Sequence, residues 1–205
     1  MRTSTVELLK KTMPIDWYEE VAHNQPITQG DIIFDCPVVG WKEGELSVTG
    51  TELTETLRAH TEAIAVDVVV MTQACDLEHG KVRNVILCPH FLVDDYKQAW
   101  VTDMKAREQN PSSKAWRRHS SDICDGFVWN LSVLNAGKVK SFSTDHRIVD
   151  FHEVYSVPRS FIESFLAQRG KPRLRLCPPY REHLSQAFAR FFMRVGLPVP
   201  VAISD

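Results

Sequence analysis

The stretch from Val66 to Leu77 constrains the fold of this chain more than any other. It starts with an apolar run, Val68-Val69-Val70-Met71, and passes into a polar run, Thr72-Gln73-Ala74-Cys75-Asp76. A short run rich in β-branched residues with a polar cluster behind it is typical of a buried β-strand. We therefore predict a strand over residues 65–72 that holds chemically capable side chains at its end, where a rigid scaffold can support a site.

Two further apolar runs predict neighbouring strands. Val85-Ile86-Leu87-Cys88 is followed by Pro89-His90, and Asp31-Ile32-Ile33-Phe34-Asp35-Cys36 is followed by Pro37. Proline cannot donate a ladder hydrogen bond, so each strand is predicted to end at its proline. Additional strands are predicted over Phe127–Leu134 and within 147–157, with Val139–Phe142 pairing back across a turn.

Helical spacing of apolar residues marks the rest of the chain. Residues 51–62 fit a helix and an exposed strand equally well. We expect one α+β domain over residues 1–205: a small, strongly bent β-barrel or SH3-like sheet with helices at its ends and over one face. Its predicted parts are N-terminal helices in 1–25, barrel strands in 29–89 and 127–157, a helical insertion in 91–120 and C-terminal helices in 158–196.

Composition and charge bear on the cellular location of the protein and on the kind of partner it binds. Five cysteines, an odd number, and an N-terminus without an apolar leader predict a reducing, cytoplasmic location. No stretch approaches the length of a membrane span, so no membrane partner is expected. Residues Arg159–Arg194 carry net charge +6 and the remainder −8. This asymmetry favours either an anionic partner at the C-terminal end or a solvated helix surface with ion pairs to the acidic half.

The order of the apolar runs resembles one family. Gln29-Gly30-Asp31-Ile32-Ile33 with Pro37, then Val68–Thr72, then Val85–Pro89 is similar to the PemK/MazF class. Members of that class are SH3-like β-barrels, and its toxins cut single-stranded RNA. The resemblance covers residues 29–89, with a further matching stretch at 147–157. It implies a barrel fold and single-stranded RNA or a nucleotide as partner.

The catalytic residues of the toxins do not carry over. Their catalytic arginine belongs to an Arg-Pro pair just before the central strand, where this chain has Val66-Asp67. Thr72 matches the family's hydroxyl at the strand end, whereas Pro89-His90 stands at the second hydroxyl position. The resemblance therefore implies a nucleic-acid- or nucleotide-binding barrel, a degenerate relative of these ribonucleases, without toxin activity.

Two groups of polar residues are the candidate contacts for such a ligand. Thr72, Gln73 and Asp76 offer donors and acceptors that can read a base edge or a small ligand, although they can equally hydrogen-bond the turn after the strand. Arg173 and Arg175 alternate along an extended segment, so both are predicted to face one side of a strand and contact phosphate. A second candidate for phosphate contact or base stacking is Trp116 with Arg117-Arg118-His119.

A cysteine-dependent enzyme is the alternative function. Cys75 would be the nucleophile and His146, just before a predicted strand, its base. The neighbouring Asp76 works against a low thiol pKa, and a buried, inert cysteine is the competing interpretation. A structural or adaptor subunit of a larger bacterial-type assembly, with the aromatic C-terminal helix as its contact, is a third function class.

No cofactor is predicted, but two kinds of site remain open. Cys75, Cys88 and His90 are candidate zinc ligands, with Cys124 or His79 as a fourth, although their spacing matches no zinc signature. Cys-Pro pairs begin at Cys36, Cys88 and Cys177. Such a pair can ligate haem through its thiolate, whereas the simpler interpretation is a strand that ends at a turn.

Overall fold

A computed structural model describes residues 16–44 and 53–193, and all structural statements refer to them. No helix in these two ranges is long and apolar enough to cross a membrane. The strands are β1 Tyr18–Val21, β2 Asp31–Trp41, β3 Thr61–Val70, β4 Asn84–Leu92, β5 Leu131–Leu134, β6 Gly137–Val139, β7 Phe142–Thr144, β8 Arg147–Asp150, β9 Tyr155–Pro158 and β10 Arg173–Leu176. The helices are α1 Leu53–His60, α2 Ala74–Glu78, α3 Val93–Ala106, α4 Ser113–Cys124, α5 Arg159–Arg169 and α6 Tyr180–Phe192.

The strands form one antiparallel sheet and a separate hairpin. The sheet order is β1-β10-β2-β3-β4-β8-β5, and β9 pairs with β4 beside β8. The hairpin consists of β6 and β7. The α+β class predicted from the sequence is confirmed. Within the described ranges β1 and β5, at the two ends of the order, do not pair with each other, so the sheet is open rather than a closed barrel.

Strand alternation gives the sheet two apolar faces, each with its own helix. On β3, Val68 and Val70 pack in one core with Ile162 of α5, whereas Val69 packs in the other core with Leu184 of α6. Successive side chains of a strand point to opposite faces, so a run of four apolar residues serves both cores. Complete burial of each such side chain contributes about 1.5–3 kcal/mol.

The predicted helical insertion is present as α3 and α4. Ser112 caps α4, because its Oγ accepts a hydrogen bond from Ala115 N at 3.2 Å. Ile123 of α4 then packs with Leu131 of β5 and Ile148 of β8 in a third, smaller core. This contact fixes α4 beside the start of β8.

Both predicted proline stops are wrong, since β2 continues through Pro37 and β4 through Pro89. Backbone groups of alternate residues point to opposite sides of an antiparallel strand. Lys42 N donates to His60 O at 2.8 Å, which places the nitrogen of Pro37 on the edge of β2 that lacks a partner strand among the described residues. Pro89 faces the gap between the residues that pair with β9 and those that pair with β8. Neither proline therefore removes a ladder hydrogen bond.

The N-terminal helices predicted in 1–25 are wrong for the described residues from Trp17 onward, because Tyr18–Val21 is strand β1. Tyr18 and Val21 are both buried, and their spacing imitates a helical face. Pairing with β10 from Tyr18↔Leu176 to Val21↔Arg173 overrides that local pattern. The earlier helix predicted within 1–25 lies outside the described residues.

The structure corrects two predicted strand pairings or bounds, at 127–134 and 139–142, and assigns the segment 51–62, for which the sequence left helix and strand open. The strand predicted from Phe127 is limited to Leu131–Leu134, and Val139 pairs with Phe142 inside its own hairpin rather than back onto β5. The hairpin lies close against β1, because a Cβ added to Gly137 would be 2.8 Å from Tyr18 Cδ2. In the ambiguous segment 51–62, Leu53–His60 is helix α1 and β3 begins at Thr61, while residues 51–52 lie outside the described ranges.

A buried ion network joins β2, β10 and the loop that precedes β2. The carboxylate of Asp31 is fully buried and accepts hydrogen bonds from Arg173 Nε at 2.7 Å, from Arg175 Nε and from Thr28 N. The two arginines lie on the same side of their strand, as predicted. Arg173 also donates to the carbonyl oxygens of Ala22, Gln25 and Pro26. The network therefore closes the loop over one end of the sheet.

Loss of one partner from this network is expected to be severe. Arg173→Met leaves the Asp31 carboxylate buried with less compensation, so the free energy of unfolding should fall by about 3–5 kcal/mol. Urea denaturation measures this change. The matched control is Arg107→Met, which breaks an exposed i,i+4 pair with Asp103 and should cost less than about 0.5 kcal/mol. A loss below about 1 kcal/mol for Arg173→Met would contradict the role given to the network.

Candidate functional site

A cavity of about 360 Å³ lies where the start of α3, one side of α4 and the loop before β8 meet. We call it the α3–α4 pocket. Ile123, Val133 and Ile148 supply apolar lining. Its polar and aromatic lining consists of Asp94, Trp116, Ser120, Cys124, Asp145 and His146.

Strand pairing brings these distant parts of the chain together. Leu92 at the end of β4 pairs with Arg147 at the start of β8. One residue further on, Val93 N donates to His146 O at 3.0 Å, which ties the first turn of α3 to the loop before β8. Asp94 on α3 and Asp145 in the loop therefore line the same cavity, although they are far apart in sequence.

An aromatic cluster fixes the position of Trp116. The Trp116 ring lies 5.3 Å from that of Trp100, which in turn stacks on His119 at 5.4 Å. Tyr96 Oη is within hydrogen-bond distance of His119 Nε2, at 3.0 Å. Burial lowers the pKa of His119, so this imidazole is neutral at pH 7. The indole is thus a rigid wall, with Lys97 Nζ 5.6 Å from its ring centre.

The charge of the pocket lining is acidic. Among the described residues, Asp94 and Asp145 contribute two carboxylates to the lining, and no lysine or arginine joins them. Basic groups lie outside it instead, with Arg117 and Arg118 exposed on α4. Carboxylates only accept hydrogen bonds, so this lining favours hydrogen-bond donors and disfavours an anionic group inside the cavity.

The structure places the predicted Thr72–Asp76 site at the opposite end of β4. Thr72 is buried, and its Oγ1 accepts a hydrogen bond from Ile86 N at 2.7 Å, so this hydroxyl joins β3 to β4. Cys75 is exposed on α2, with Sγ 3.7 Å from Gln73 Oε1 and 3.8 Å from Asp76 Oδ1. Gln73, Cys75 and Asp76 thus lie together on the surface, and Thr72 has a structural hydrogen bond.

Cys75 and His146 are not brought together. The strand end that precedes Cys75 lies beside Ile86, whereas His146 lies beside Val93. Ile86 in β4 and Val93, which directly follows β4, are seven residues of extended chain apart, which corresponds to about 23 Å. His146 instead shares the α3–α4 pocket with Cys124. The catalytic pair predicted from the sequence is therefore absent from this geometry.

The predicted phosphate contacts Arg173 and Arg175 face inward. Their side chains are 3% and 18% exposed, and their donors bind Asp31 and loop carbonyls. Arg175 also lies 4.0 Å from Glu19. The visible role of both residues is to support the fold, and their role as phosphate contacts stays a prediction.

The candidate metal ligands are also separated. Cys88 and His90 are buried on one face of β4, whereas Cys75 is exposed on α2. In residues 16–44 and 53–193 no group of three or more His, Cys, Asp or Glu side chains is arranged to hold a metal ion. Of the cysteines considered for haem, Cys36 and Cys88 are fully buried.

Sequence reasoning missed an ion network centred on Arg147. Arg147 Nε donates to His90 Nδ1 at 2.7 Å, and its Nη2 donates to Asp67. The guanidinium lies 5.2 Å from the ring centre of Phe34. Asp67 and His90 belong to the pairs Val66-Asp67 and Pro89-His90, which stand where the sequence comparison with the PemK/MazF class found no match to its catalytic groups. The polar triplet Asp145-His146-Arg147 before an apolar strand was the available signal.

His90 has an unusual environment in this network. It is 1% exposed, and its Nε2 has no hydrogen-bond partner among the described residues. Burial, reinforced by the charge of Arg147, lowers the pKa of His90 to about 3 although the carbonyls of Val68 and His90 act in the other direction. The neutral ring therefore accepts from Arg147 and helps to fix the start of β8, next to the pocket residues Asp145 and His146.

Cysteine reactivity should follow burial. Burial raises the pKa of the Cys36 thiol to about 11 and that of the Cys88 thiol to about 12, so neither forms appreciable thiolate at pH 8. Iodoacetamide should modify the exposed Cys75 and Cys124 first, as followed by peptide mass spectrometry. The urea-unfolded chain, in which all cysteines react, is the control. Early modification of Cys88 in the folded protein would contradict the assigned burial.

The His90 pKa predicts a pH dependence of stability. Between pH 6.5 and about 3 the unfolded chain protonates this histidine and the folded protein does not. The free energy of unfolding is therefore not reduced by this protonation above pH 6.5. Below pH 6.5 it falls as the pH decreases, by up to about 1.4 kcal/mol per pH unit. His90→Gln keeps an acceptor for Arg147 and should show a shallower fall between pH 7 and 5 in urea titrations. Parallel profiles for the two proteins would show that His90 is not held neutral.

Comparison with known proteins adds no assignment to this geometry. No protein family, curated protein or solved structure matches the chain. The function of the α3–α4 pocket therefore has to be inferred from the chemistry of its own residues.

Proposed function

We propose that this protein binds nucleotides or single-stranded nucleic acid by inserting one base, preferentially guanine, into the α3–α4 pocket. One observation carries the proposal: the fixed indole of Trp116 and the carboxylates of Asp94 and Asp145 line the same cavity. Stacking of a base on an aromatic side chain contributes about 1–3 kcal/mol.

The size and lining of the cavity support a base-sized ligand. Its volume of about 360 Å³ lies at the lower end of the range for small-molecule sites, which extends from about 300 to 1,000 Å³. The apolar floor formed by Ile123, Val133 and Ile148 contacts a flat ring without demanding hydrogen bonds. A single purine fits such a cavity better than a larger ligand.

The carboxylates favour guanine over the other bases. The pairing edge of guanine carries two adjacent donors, N1–H and the N2 amino group, and one carboxylate can accept from both. Adenine and cytosine place an acceptor beside their amino group, which a carboxylate repels. Ser120 and His146 add further polar contacts at the same lining.

The phosphate groups of the ligand belong outside the cavity. Two carboxylates repel a phosphate from the lining, whereas Lys97 and Arg117 are exposed near Trp116 on the two helices. Arg118 is also exposed and lies 4.0 Å from Asp122. Contacts of this kind make affinity for a nucleic acid fall as salt is added.

Binding of a nucleic acid or nucleotide, as expected from the sequence, is thus proposed at a different site. A relationship to the PemK/MazF-type barrels stays part of the proposal, and the antiparallel pairing of β2 with β3 and of β3 with β4, with a register shift between Ile33 and Cys36, is compatible with it. The proposed binding site is the α3–α4 pocket rather than Thr72–Asp76, because the Thr72 hydroxyl already accepts a hydrogen bond from Ile86 N. The cysteine-enzyme alternative now depends on Cys124, which shares the pocket with His146.

Binding of the four mononucleotides tests the proposal. Calorimetry should show guanosine monophosphate as the tightest ligand, and the double substitution Asp94→Asn with Asp145→Asn should weaken it at least tenfold, which is about 1.4 kcal/mol. The loss of the carboxylate acceptors is the reason. Asp103→Asn, which removes an exposed carboxylate from α3 outside the pocket lining, is the matched control and should leave the affinity unchanged.

Two results would contradict guanine binding in the pocket. One is the absence of binding by all four mononucleotides and by a mixed single-stranded RNA pool at low salt. The other is binding that the double substitution leaves unchanged while its melting temperature matches the wild type. Integrity of the RNA is followed in the same samples, because cutting that disappears in Cys124→Ser would favour the enzyme alternative instead.

A further inference from the structure

Another cavity, of about 490 Å³, lies along helix α3 and meets the α3–α4 pocket at Asp94, which lines both. We call it the α3 cleft. The spacing of its lining residues is i, i+3, i+4, i+7 and i+8, so they form one continuous face of the helix. They are Asp94, Lys97, Gln98, Val101 and Thr102.

The two cavities differ in charge. The lining of the α3–α4 pocket has the carboxylates of Asp94 and Asp145 and, among the described residues, no lysine or arginine. The lining of the α3 cleft has the same Asp94 carboxylate together with the ammonium group of Lys97, so its charges balance. Of the two cavities, the cleft is therefore the one that can accept an anionic group without net repulsion.

Lys97 links the α3 cleft to the aromatic wall of the pocket. Its Nζ lies 5.6 Å from the ring centre of Trp116, and Trp116 lines the α3–α4 pocket. The Lys97 side chain is exposed and forms no ion pair within the part of the chain that the structure describes, whereas Arg118 lies 4.0 Å from Asp122. Lys97 is thus a basic group that is both close to the pocket and available to a ligand.

We propose that the α3 cleft is a phosphate subsite for the nucleotide whose base occupies the α3–α4 pocket, with Lys97 as its main contact. This inference rests on the proposed function, because it places a second part of the same ligand. Only a ribose separates the base of a nucleotide from its phosphate, and the two cavities meet at Asp94. One nucleotide can therefore reach both cavities.

The polar groups of the α3 cleft fit a phosphate. The ammonium group of Lys97 offers three donors, and its hydrogen bonds to phosphate oxygens are charge-assisted. The side-chain amide of Gln98, which is exposed in the same cleft, adds two further donors. The Thr102 hydroxyl already donates to Gln98 O at 3.0 Å, so its proton is used within the helix. Lys97 and Gln98 are therefore the expected phosphate contacts.

Calorimetry with guanosine and guanosine 5′-monophosphate isolates the contribution of the phosphate subsite. At low salt the wild type should bind the monophosphate at least tenfold more tightly than guanosine. This ratio should fall toward one in Lys97→Gln, which removes the charge and keeps a long polar side chain. Added salt should also lower the ratio in the wild type, because salt screens an exposed ionic contact. Lys105→Gln is the matched control, since Lys105 lies on α3 outside both linings and its loss should leave the ratio unchanged.

Two dinucleotides distinguish a free nucleotide from a strand as the source of the phosphate. Guanylyl-uridine carries its phosphate on the 3′ side of the guanosine, and uridylyl-guanosine carries it on the 5′ side. A gain over guanosine with either one, lost in Lys97→Gln, would identify a strand. A gain confined to the monophosphate would identify a free nucleotide, and both results support the subsite.

Two outcomes would overturn the subsite and leave the proposed function intact. One is equal affinity of the wild type for guanosine and for its monophosphate. The other is a gain from the phosphate that Lys97→Gln retains in full. Failure of both guanosine and the monophosphate to bind would instead reject the base pocket, and the subsite with it.

Discussion

The contact of Arg147 with Asp67 and His90 is the interaction on which the candidate site depends. It joins β8 to β3 and β4 at the point where β8 begins. The neutral His90 accepts from Arg147 Nε because burial keeps this ring unprotonated. Asp145 and His146 immediately precede Arg147, so the same contact sets where they meet α3 and α4. Without it, β8 would keep its backbone pairing, the Val93 N–His146 O hydrogen bond and the packing of Ile148 on Ile123, but it would lose its side-chain contacts with β3 and β4.

The sequence predicts the elements of this fold better than their ends. Apolar periodicity identifies β3, the helical insertion and α5, because each has a pattern that its environment supports. The ends of β2 and β4 were predicted wrongly, because a proline ends a strand only where its nitrogen faces a partner strand. The nitrogens of Pro37 and Pro89 face no partner strand among the described residues. The segment of Tyr18 and Val21 was predicted wrongly for another reason. The spacing of these two residues fits a helix, but pairing with β10 makes the segment a strand. Neither sheet order nor edge position can be inferred from local sequence.

The candidate site, like the sheet order, depends on tertiary packing that local sequence does not reveal. The sequence predicts a site at Thr72–Asp76, and in the structure Gln73, Cys75 and Asp76 lie together there. It also marks Arg173 and Arg175, whose common side was predicted and whose burial against Asp31 was not. The α3–α4 pocket combines Asp94, Trp116 and Asp145 from three separate segments, and only tertiary packing brings such residues together. Three residues that the sequence marked for separate roles, Trp116, Cys124 and His146, line the observed pocket together.

A nuclear magnetic resonance titration with guanosine monophosphate tests the assignment of the pocket most directly. If the base enters the α3–α4 pocket, the largest shift changes belong to the Trp116 indole N–H, Ser120 and His146. Resonances from Gln73, Cys75 and Asp76, at the other end of β4, should stay unchanged. Shift changes confined to that strand end, or no shift change at saturating ligand, would contradict the assignment.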